Sequence, residues 1–201
     1  MAKERAKVIV AMSGGVDSSV AAAMLLDAGY DVTGMTMRLF PRCEPEQGAN
    51  PIADARRVAE HLDIPHHVAE FSDLFKDVVL NYFVDEYKRG RTPNPCVRCN
   101  QRIKFGALFE QARTLGGQLL ATGHYVRVVD NNGRRAVCRA KFRAKDQSYM
   151  LSGLTQEQLG RVVFPLGDQT KDETRALARS LALDIAEKSD SQDVCFLEGD
   201  D

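Results

Sequence analysis

A glycine pair between a predicted strand and a predicted helix restricts the fold of this chain more than any other feature. The apolar run VIVAM (8–12) has the character of a buried strand, SGGVDSS follows it, and the residues up to Gly29 carry the Ala, Val, Met and Leu spacing of a helix. The alternation continues with a strand at 31–39, a helix at 53–62, a strand at 66–71, a helix at 101–115 and a strand at 118–125. Strands and helices that alternate in this way form a parallel sheet with right-handed crossovers. We therefore predict an α/β, Rossmann-like fold with helices on both faces of the sheet.

Other segments are predicted to lie outside that sheet. A helix is expected at 75–88, and the loop RGRTPNPCVRCN after it contains two prolines, which we take to exclude regular structure. Residues 40–51 have no periodicity and are predicted to form a loop. A β-hairpin should turn at Asn132-Gly133, and capping boxes at Thr155 and Thr170 should start the last helices, the second running to about residue 181.

The charge of the chain is balanced overall but uneven locally. Its 201 residues include 27 Lys and Arg against 28 Asp and Glu, so the net charge of −1 gives no cationic field that would by itself indicate nucleic-acid binding. Residues 88–104, however, contain six basic side chains and no acidic one, and 133–145 have the same bias. These segments predict two local phosphate-binding surfaces.

The number of cysteines and the hydropathy of the chain indicate where in the cell the protein is located. Five cysteines, an odd number, behind an amino terminus without an apolar leader predict a reducing, cytoplasmic environment in which thiols have chemical roles. No apolar run approaches the length of a membrane span, so no membrane association is expected.

The glycine loop has the features of an anion cradle. A loop placed after a strand and before a helix directs backbone N–H groups and a helix N-terminus at one point, as a phosphate requires. Ser13, Ser18 and Ser19 add hydroxyl donors, and the carboxylate of Asp17 would need Mg²⁺ between itself and a phosphate. The loop lacks the lysine of GxxxxGK[ST] and the spacing of GxGxxG, so a Walker-type NTPase and a dinucleotide site are both disfavoured. For a glycine pair alone, a simple tight turn would be the better interpretation.

A CxxC pair marks a second site of chemistry. Cys96 and Cys99 lie between prolines and arginines, and we expect Arg91, Arg98 and Arg102 to lower a thiol pKa and favour the thiolate. A closed zinc site is disfavoured because no second CxxC or HxxxH completes four ligands. A thioredoxin-like redox pair would require a helix start.

The glycine motif resembles a known nucleotide loop. Residues 13–18, SGGVDS, are similar to the pyrophosphate loop of the N-type ATP pyrophosphatases, which split ATP into AMP and pyrophosphate in order to adenylate a substrate. That likeness alone leaves open nucleotide or acid amidation, argininosuccinate formation, tRNA lysidine formation and tRNA thiolation.

Six motifs in a fixed order narrow the choice. SGGVDSS, GRTPNPCVRCNQRIKFG, ATGHYVR, KDQSYML, FPLG and SQDVCF occur in the order found in the bacterial tRNA-specific 2-thiouridylases, the MnmA/TrmU family. The resemblance runs from Val8 to Leu197. It implies a PP-loop ATP-binding catalytic domain at 1–145, which includes the CxxC loop, and a helical extension at 146–201 that carries Cys195.

The resemblance also implies roles for individual residues. Cys99 matches the catalytic nucleophile and Cys195 the cysteine that carries a persulfide. The implied ATP-binding residues are Ala11, Met12, Ser13, Gly14, Gly15, Val16, Asp17, Ser18, Met37 and Gly123. The implied contacts to the target base are Asn94, Pro95 and Cys96, and those to tRNA are Lys145, Asp146 and Gln147.

The implied reaction is ATP-dependent thiolation of the wobble uridine of tRNA at carbon 2. ATP and Mg²⁺ would activate the carbonyl oxygen, a cysteine desulfurase or sulfur relay protein would load sulfur on Cys195, and Cys99 would release that sulfur by forming a disulfide. Family members carry Asp or Cys at position 96, so a carboxylate base is absent here. With a cysteine at position 96, the alternative is an iron–sulfur cluster held by Cys96, Cys99 and Cys195.

The length of the chain departs from the family. The resemblance implies a linking domain and a C-terminal β-barrel after SQDVCF, which this chain lacks, so it is expected to be either a fragment or a shortened enzyme. Two other functions stay open: a catalytically incomplete ATP-binding, tRNA-binding or sulfur-carrying module, and a PP-loop synthetase that acts on a small molecule.

Overall fold

A five-stranded parallel sheet forms the centre of the molecule. The computed structural model describes residues 5–40, 50–190 and 194–197. The strands are β1 (Lys7–Ala11), β2 (Asp31–Arg38), β3 (His66–Glu70), β4 (Leu119–Thr122) and β7 (Val162–Val163), in the spatial order β3-β2-β1-β4-β7. All four neighbouring pairs are parallel. The predicted α/β fold is confirmed, and the two-residue strand β7 is an addition that the sequence did not indicate.

Helices cover both faces of this sheet. Along β1, Val8 and Val10 join the cluster that contains α1 (Val16–Asp27), α2 (Pro51–His61) and α8 (Lys171–Ser180), whereas Ile9 joins the opposite cluster. All three β1 side chains are 0% exposed, because alternate residues of a strand point to opposite faces and both faces are covered. The opposite cluster is formed with α6 (Leu108–Thr114) and the helical residues before it.

The helix that carries the CxxC pair corrects the prediction of an irregular loop. It begins at Pro95, runs as α5 (Pro95–Cys99), continues as a π-helix (Asn100–Ala107) and ends as α6, so it starts well before residue 101. Proline is tolerated at the first helical position because the N–H that it lacks has no intrahelical acceptor there. The side chain of Asn94 caps the helix by accepting a hydrogen bond from Val97 N at 3.0 Å.

The segment between β3 and α5 is also helical. It comprises α3 (Ser72–Phe75), a π-helix (Lys76–Leu80) and α4 (Asn81–Lys88), so the predicted helix begins a turn earlier than expected.

The predicted hairpin and the two predicted capping boxes are confirmed. Strands β5 (Val126–Asn131) and β6 (Arg134–Arg139) form the hairpin, with φ angles of 53° at Asn132 and 80° at Gly133 as a type I′ turn requires. Reciprocal capping boxes at Thr155 and Thr170 start α7 (Gln156–Leu159) and α8. The predicted loop at 40–51 lies mostly outside the described residues, and the domain boundary after residue 145 stays a prediction.

Short 3₁₀ turns at Arg143–Lys145, Ser148–Leu151 and Pro165–Asp168 complete the fold. Among the described residues, none of the helices combines the length and apolar character needed to cross a membrane.

Candidate active site

The glycine loop joins the carboxyl end of β1 to the start of α1. Gly14 has a φ of +68°, and a Cβ there would overlap the carbonyl oxygen of Pro51, so glycine is required at this position. Gly15 occupies the N-cap position and offers no side-chain acceptor to the first turn of the 12-residue helix. The N–H groups of that turn and the positive end of the helix dipole can therefore bind an anion.

Serine hydroxyls hold the loop in this shape. Ser13 N–H donates to Ser18 Oγ at 3.1 Å, Ser18 Oγ donates to Gly15 O at 3.2 Å, and Ser19 Oγ donates to the same carbonyl at 2.9 Å. The hydroxyls of Ser13 and Ser18 lie 3.2 Å apart. The loop is thus organised by its own side chains before any ligand binds.

Strand β4 ends beside this loop. A Cβ at Gly123 would lie 2.6 Å from Ser18 N and 2.7 Å from the carbonyl carbon of Asp17, so only glycine allows this approach. β1 and β4 are neighbours whose connections leave in opposite directions, and ligands of α/β sheets bind at the carboxyl ends of such a pair. Ala11 ends β1, Met12 follows it, and the partly buried Met37 lies near the end of β2, at the same edge.

Two lysines from the distant C-terminal region reach the glycine loop, and the sequence alone did not reveal them. Lys171 Nζ lies 2.7 Å from Asp17 Oδ1 and 2.7 Å from Asp190 Oδ1. Lys188 Nζ donates to Gly14 O at 3.0 Å and is paired with Asp54. They place positive charge beside the glycine loop.

Asp17 and Asp190 anchor a network of charges at this edge. Tyr125 Oη donates to Asp17 Oδ1 at 2.8 Å, and burial together with the Asp17 charge raises the pKa of Tyr125. Asp190 also binds Lys145 at 2.8 Å and Arg175 at 3.2 Å. Burial alone would raise the pKa of Asp190, but hydrogen bonds from Lys145 and Lys171 outweigh it and lower the pKa to about 2.

The predicted catalytic cysteines come together at a second site. Cys99 is 9% exposed and belongs to an apolar cluster with Phe75, Val79 and Ile103. Phe196, next to Cys195, joins this cluster. Its ring centroid lies 5.8 Å from that of Phe75 and 5.1 Å from that of Phe83.

The electrostatics of these thiols differ from the prediction. The pKa of Cys99 is raised by burial, although the charge of Lys104 opposes the shift. Cys195 is exposed as a residue, yet protein atoms around its thiol desolvate it, and with the nearby Cys99 and Cys96 they raise its pKa to about 11. The expectation that arginines lower a thiol pKa of the CxxC pair is therefore wrong for Cys99, because desolvation dominates there.

Two of the three arginines expected to act on the thiols have other partners. Arg91 pairs with Glu86 at 2.5 Å, and Arg98 lies over the ring of Tyr82 at 5.3 Å from its centroid. Spacing along the sequence did not reveal these partners.

The residues predicted to contact tRNA have internal partners. Lys145 is paired with Asp190, while Asp146 accepts hydrogen bonds from Ala140 N and Ser148 Oγ, both at 2.8 Å. Gln147 Oε1 accepts from Tyr125 N at 3.0 Å. Their contacts to tRNA stay predictions, as do the base contacts of Asn94, Pro95 and Cys96; Pro95 is buried and Asn94 caps α5.

The histidine of ATGHY is buried and directly follows Gly123, the residue that approaches the glycine loop. His124 Nδ1 lies 2.6 Å from Thr122 Oγ1, and burial lowers the pKa of His124, so the ring is neutral at pH 7.

The described side chains include no group of three or more His, Cys, Asp or Glu that could hold a metal ion, so the hypothesis of an iron–sulfur cluster on Cys96, Cys99 and Cys195 does not fit them. Mg²⁺ typically needs only one or two carboxylates together with substrate phosphates, and Asp17 at the loop is suited to that mode.

Comparisons with known proteins agree with this arrangement. A family model described as tRNA methyl transferase HUP domain matches residues 6–199. A tRNA-specific 2-thiouridylase MnmA from Trichlorobacter lovleyi is 51% identical over 197 residues, which cover 97% of this chain and 55% of that protein. The MnmA of Clostridium acetobutylicum is 46% identical, over 97% of this chain and 57% of its own length. The chain thus spans little more than half the length of these relatives.

A solved structure shares the fold. A 4-thiouridine synthetase in complex with RNA and bound ATP has a TM-score of 0.61 at 17% identity, over 92% of this chain and 43% of that one. The family match extends over nearly all of the described sheet, loop and cysteine sites. The chain therefore belongs to the family described as the tRNA methyl transferase HUP domain, and the predicted resemblance to tRNA-specific 2-thiouridylases is confirmed.

Proposed function

We propose that this chain carries the catalytic core of an ATP-dependent tRNA sulfurtransferase that converts the wobble uridine to 2-thiouridine. The observation that carries the proposal is the juxtaposition of Cys99 and Cys195, since Phe196, next to Cys195, packs against the apolar cluster that contains Cys99, in a fold with an anion-binding loop. Curated relatives that are 51% and 46% identical to this chain over the aligned residues, which make up little more than half of each relative, are tRNA-specific 2-thiouridylases.

The glycine loop binds the phosphates of ATP in this proposal. N–H groups of the first turn of α1 would bind phosphate oxygens, and Lys171 would supply positive charge at the same edge. The carbon-2 oxygen of the uridine attacks the α-phosphorus, and the bond to pyrophosphate breaks. Mg²⁺ held at Asp17 would offset the charge of the departing pyrophosphate.

Sulfur then replaces the activated oxygen. The terminal sulfur of a persulfide on Cys195 bonds to carbon 2, and AMP leaves with the oxygen. The Cys99 thiolate attacks the Cys195 sulfur, the bond to the transferred sulfur breaks, and the electron pair completes the C=S bond. The protons of the persulfide and of Cys99 pass to solvent, and a thiol reductant restores both cysteines.

The raised thiol pKa values suit this order of events. Cys99 and Cys195 are protonated at neutral pH, because burial raises the pKa of each. Neither thiol is then a strong nucleophile before sulfur and substrate arrive, which limits premature disulfide formation.

The partners of the whole protein follow as proposals. The substrate is tRNA, and a cysteine desulfurase or sulfur relay protein in the cytoplasm supplies the persulfide sulfur. Residues 1–145 would act as the ATP-binding domain and residues 146–201 as the extension that presents Cys195.

A thiolation assay tests the function. Purified chain, unmodified tRNA, ATP, Mg²⁺ and a persulfide donor should yield 2-thiouridine, detected by nucleoside mass spectrometry. Cys99→Ser and Cys195→Ser should each abolish product, whereas Cys138→Ser, in strand β6, should not. Product that persists in either of the first two variants would refute the proposal.

A further inference from the structure

One buried amide next to the cysteine pair has an oxygen that the protein does not use. Asn100 follows Cys99 directly and is 2% exposed. Its Nδ2 donates to Cys96 O at 2.9 Å and contacts Met150 Sδ at 3.9 Å. This hydrogen bond fixes the orientation of the amide, because the reversed orientation would bring two carbonyl oxygens together.

The amide oxygen is the unexplained atom. Asn100 Oδ1 is buried and has no hydrogen-bond partner among the described residues. Buried polar atoms are usually paired, since an unpaired acceptor costs free energy. The bond from Nδ2 to the Cys96 carbonyl accounts for the NH₂ group of the amide, but it leaves the buried oxygen without a partner among the described residues.

The position of Asn100 points to the substrate. It lies where α5 passes into the π-helix Asn100–Ala107, and π-helical segments inside α-helices are frequent at functional sites. Met150, on the 3₁₀ turn that follows KDQ, lies against the amide. A methionine side chain is flexible, so its displacement would open Asn100 to a ligand.

We propose that Asn100 Oδ1 accepts a hydrogen bond from the N3–H of the target uracil and so distinguishes uracil from cytosine. The inference rests on the proposed function, in which carbon 2, the atom bonded to N3, is thiolated. Cytosine presents a bare nitrogen acceptor at N3, and its lone pair would face that of Oδ1. Splayed bases in RNA are commonly read at this edge, and a site built for such a hydrogen bond rejects the analogue that lacks it.

Binding of synthetic RNA tests the proposal without requiring turnover. The chain is titrated with two fluorescent anticodon stem-loop hairpins that differ only in carrying uridine or cytidine at the wobble position, and anisotropy gives the two dissociation constants. The wild type should prefer uridine by about tenfold, the range expected for one hydrogen bond gained and one repulsion avoided. In Asn100→Ala the ratio should fall close to one, and in the matched control Gln101→Ala, an exposed neighbour, it should stay at the wild-type value.

The outcomes separate the inference from the function on which it rests. A wild type that binds both hairpins equally, or an Asn100→Ala variant that weakens both without changing their ratio, would overturn the role of Asn100 and leave the thiolation proposal intact. A wild type that binds neither hairpin would refute RNA recognition itself and the inference with it.

A second measurement covers an Asn100→Ala chain that fails to fold. In the wild-type complex, NMR should show the imino proton of the target uridine protected from exchange. An imino proton that still exchanges rapidly in the saturated complex would contradict the hydrogen bond.

Discussion

Replacing Asp190 by Asn removes the carboxylate that binds Lys145 at 2.8 Å, Lys171 at 2.7 Å and Arg175 at 3.2 Å. Hydrogen bonds from Lys145 and Lys171 outweigh the opposing effect of burial and lower the pKa of Asp190 from 3.8 to about 2. The side chain is only 22% exposed, so solvent screening weakens these contacts little. Lowering the pKa from 3.8 to about 2 corresponds to about 2.5 kcal/mol of folding stability at pH 7, and partial solvent screening reduces this to about 2 kcal/mol.

Urea denaturation of the wild type and of Asp190→Asn measures that difference. Because the pKa is lowered in the folded state, the contribution is complete well above 3.8, the ordinary pKa, and is lost as the pH falls through about 2. The variant should be about 2 kcal/mol less stable at pH 7, and the gap should narrow towards the lowest pH at which both chains remain folded. Asp85→Asn, an exposed carboxylate of α4, is the matched control and should change stability by less than about 0.5 kcal/mol. Equal stability of wild type and Asp190→Asn at pH 7, or a gap that persists unchanged into acid, would refute the reasoning.

Three further predictions concern the cysteines and the loop. Phe196→Ala removes two aromatic contacts and should slow oxidant-driven formation of the Cys99–Cys195 disulfide about tenfold, as measured by mass spectrometry. The control Leu197→Ala, at an exposed residue, should not slow it. Equal rates in Phe196→Ala and the wild type would contradict a positioning role of Phe196. Alkylation of Cys195 by iodoacetamide should accelerate about tenfold per pH unit between pH 7 and 9, because its pKa is about 11, and a plateau below pH 8 would count against that value. Gly123→Ala places a Cβ 2.6 Å from Ser18 N and should weaken ATP binding measured by calorimetry; unchanged affinity would show that the loop tolerates the shift.

Local sequence signals were sufficient where a few neighbouring residues determine the backbone. The turn at Asn132-Gly133 requires positive φ at two consecutive positions, which this dipeptide adopts readily. The capping box at Thr170 depends only on Glu173, three residues later. The shape of the glycine loop has the same local origin, since its serine hydroxyls bond to backbone groups of the loop itself.

Proline disrupts the interior of a helix but is favoured at its first position, and this difference explains why the helix at the CxxC pair was predicted to be an irregular loop. Pro95 was taken as a residue that breaks regular structure, whereas it occupies the first position of a helix capped by Asn94. The pattern of Asn followed by Pro could have indicated this start.

Contacts between residues far apart in the sequence, and the burial of individual side chains, could not be predicted from neighbouring residues. Lys171 reaches Asp17 from 154 residues away and Lys188 reaches Gly14 from 174 residues away. The pKa of Cys99 depends on the side chains that bury it and not on the arginines beside it in the sequence. Such features become visible only when the fold brings distant segments together.

A single-turnover experiment tests the central claim most directly. The chain is loaded with persulfide on Cys195 and mixed with tRNA, ATP and Mg²⁺ in the absence of reductant, and intact-protein and nucleoside mass spectrometry follow both products. The account predicts one Cys99–Cys195 disulfide for each 2-thiouridine formed, with neither product in the absence of ATP. Formation of 2-thiouridine while Cys99 remains a free thiol would contradict it.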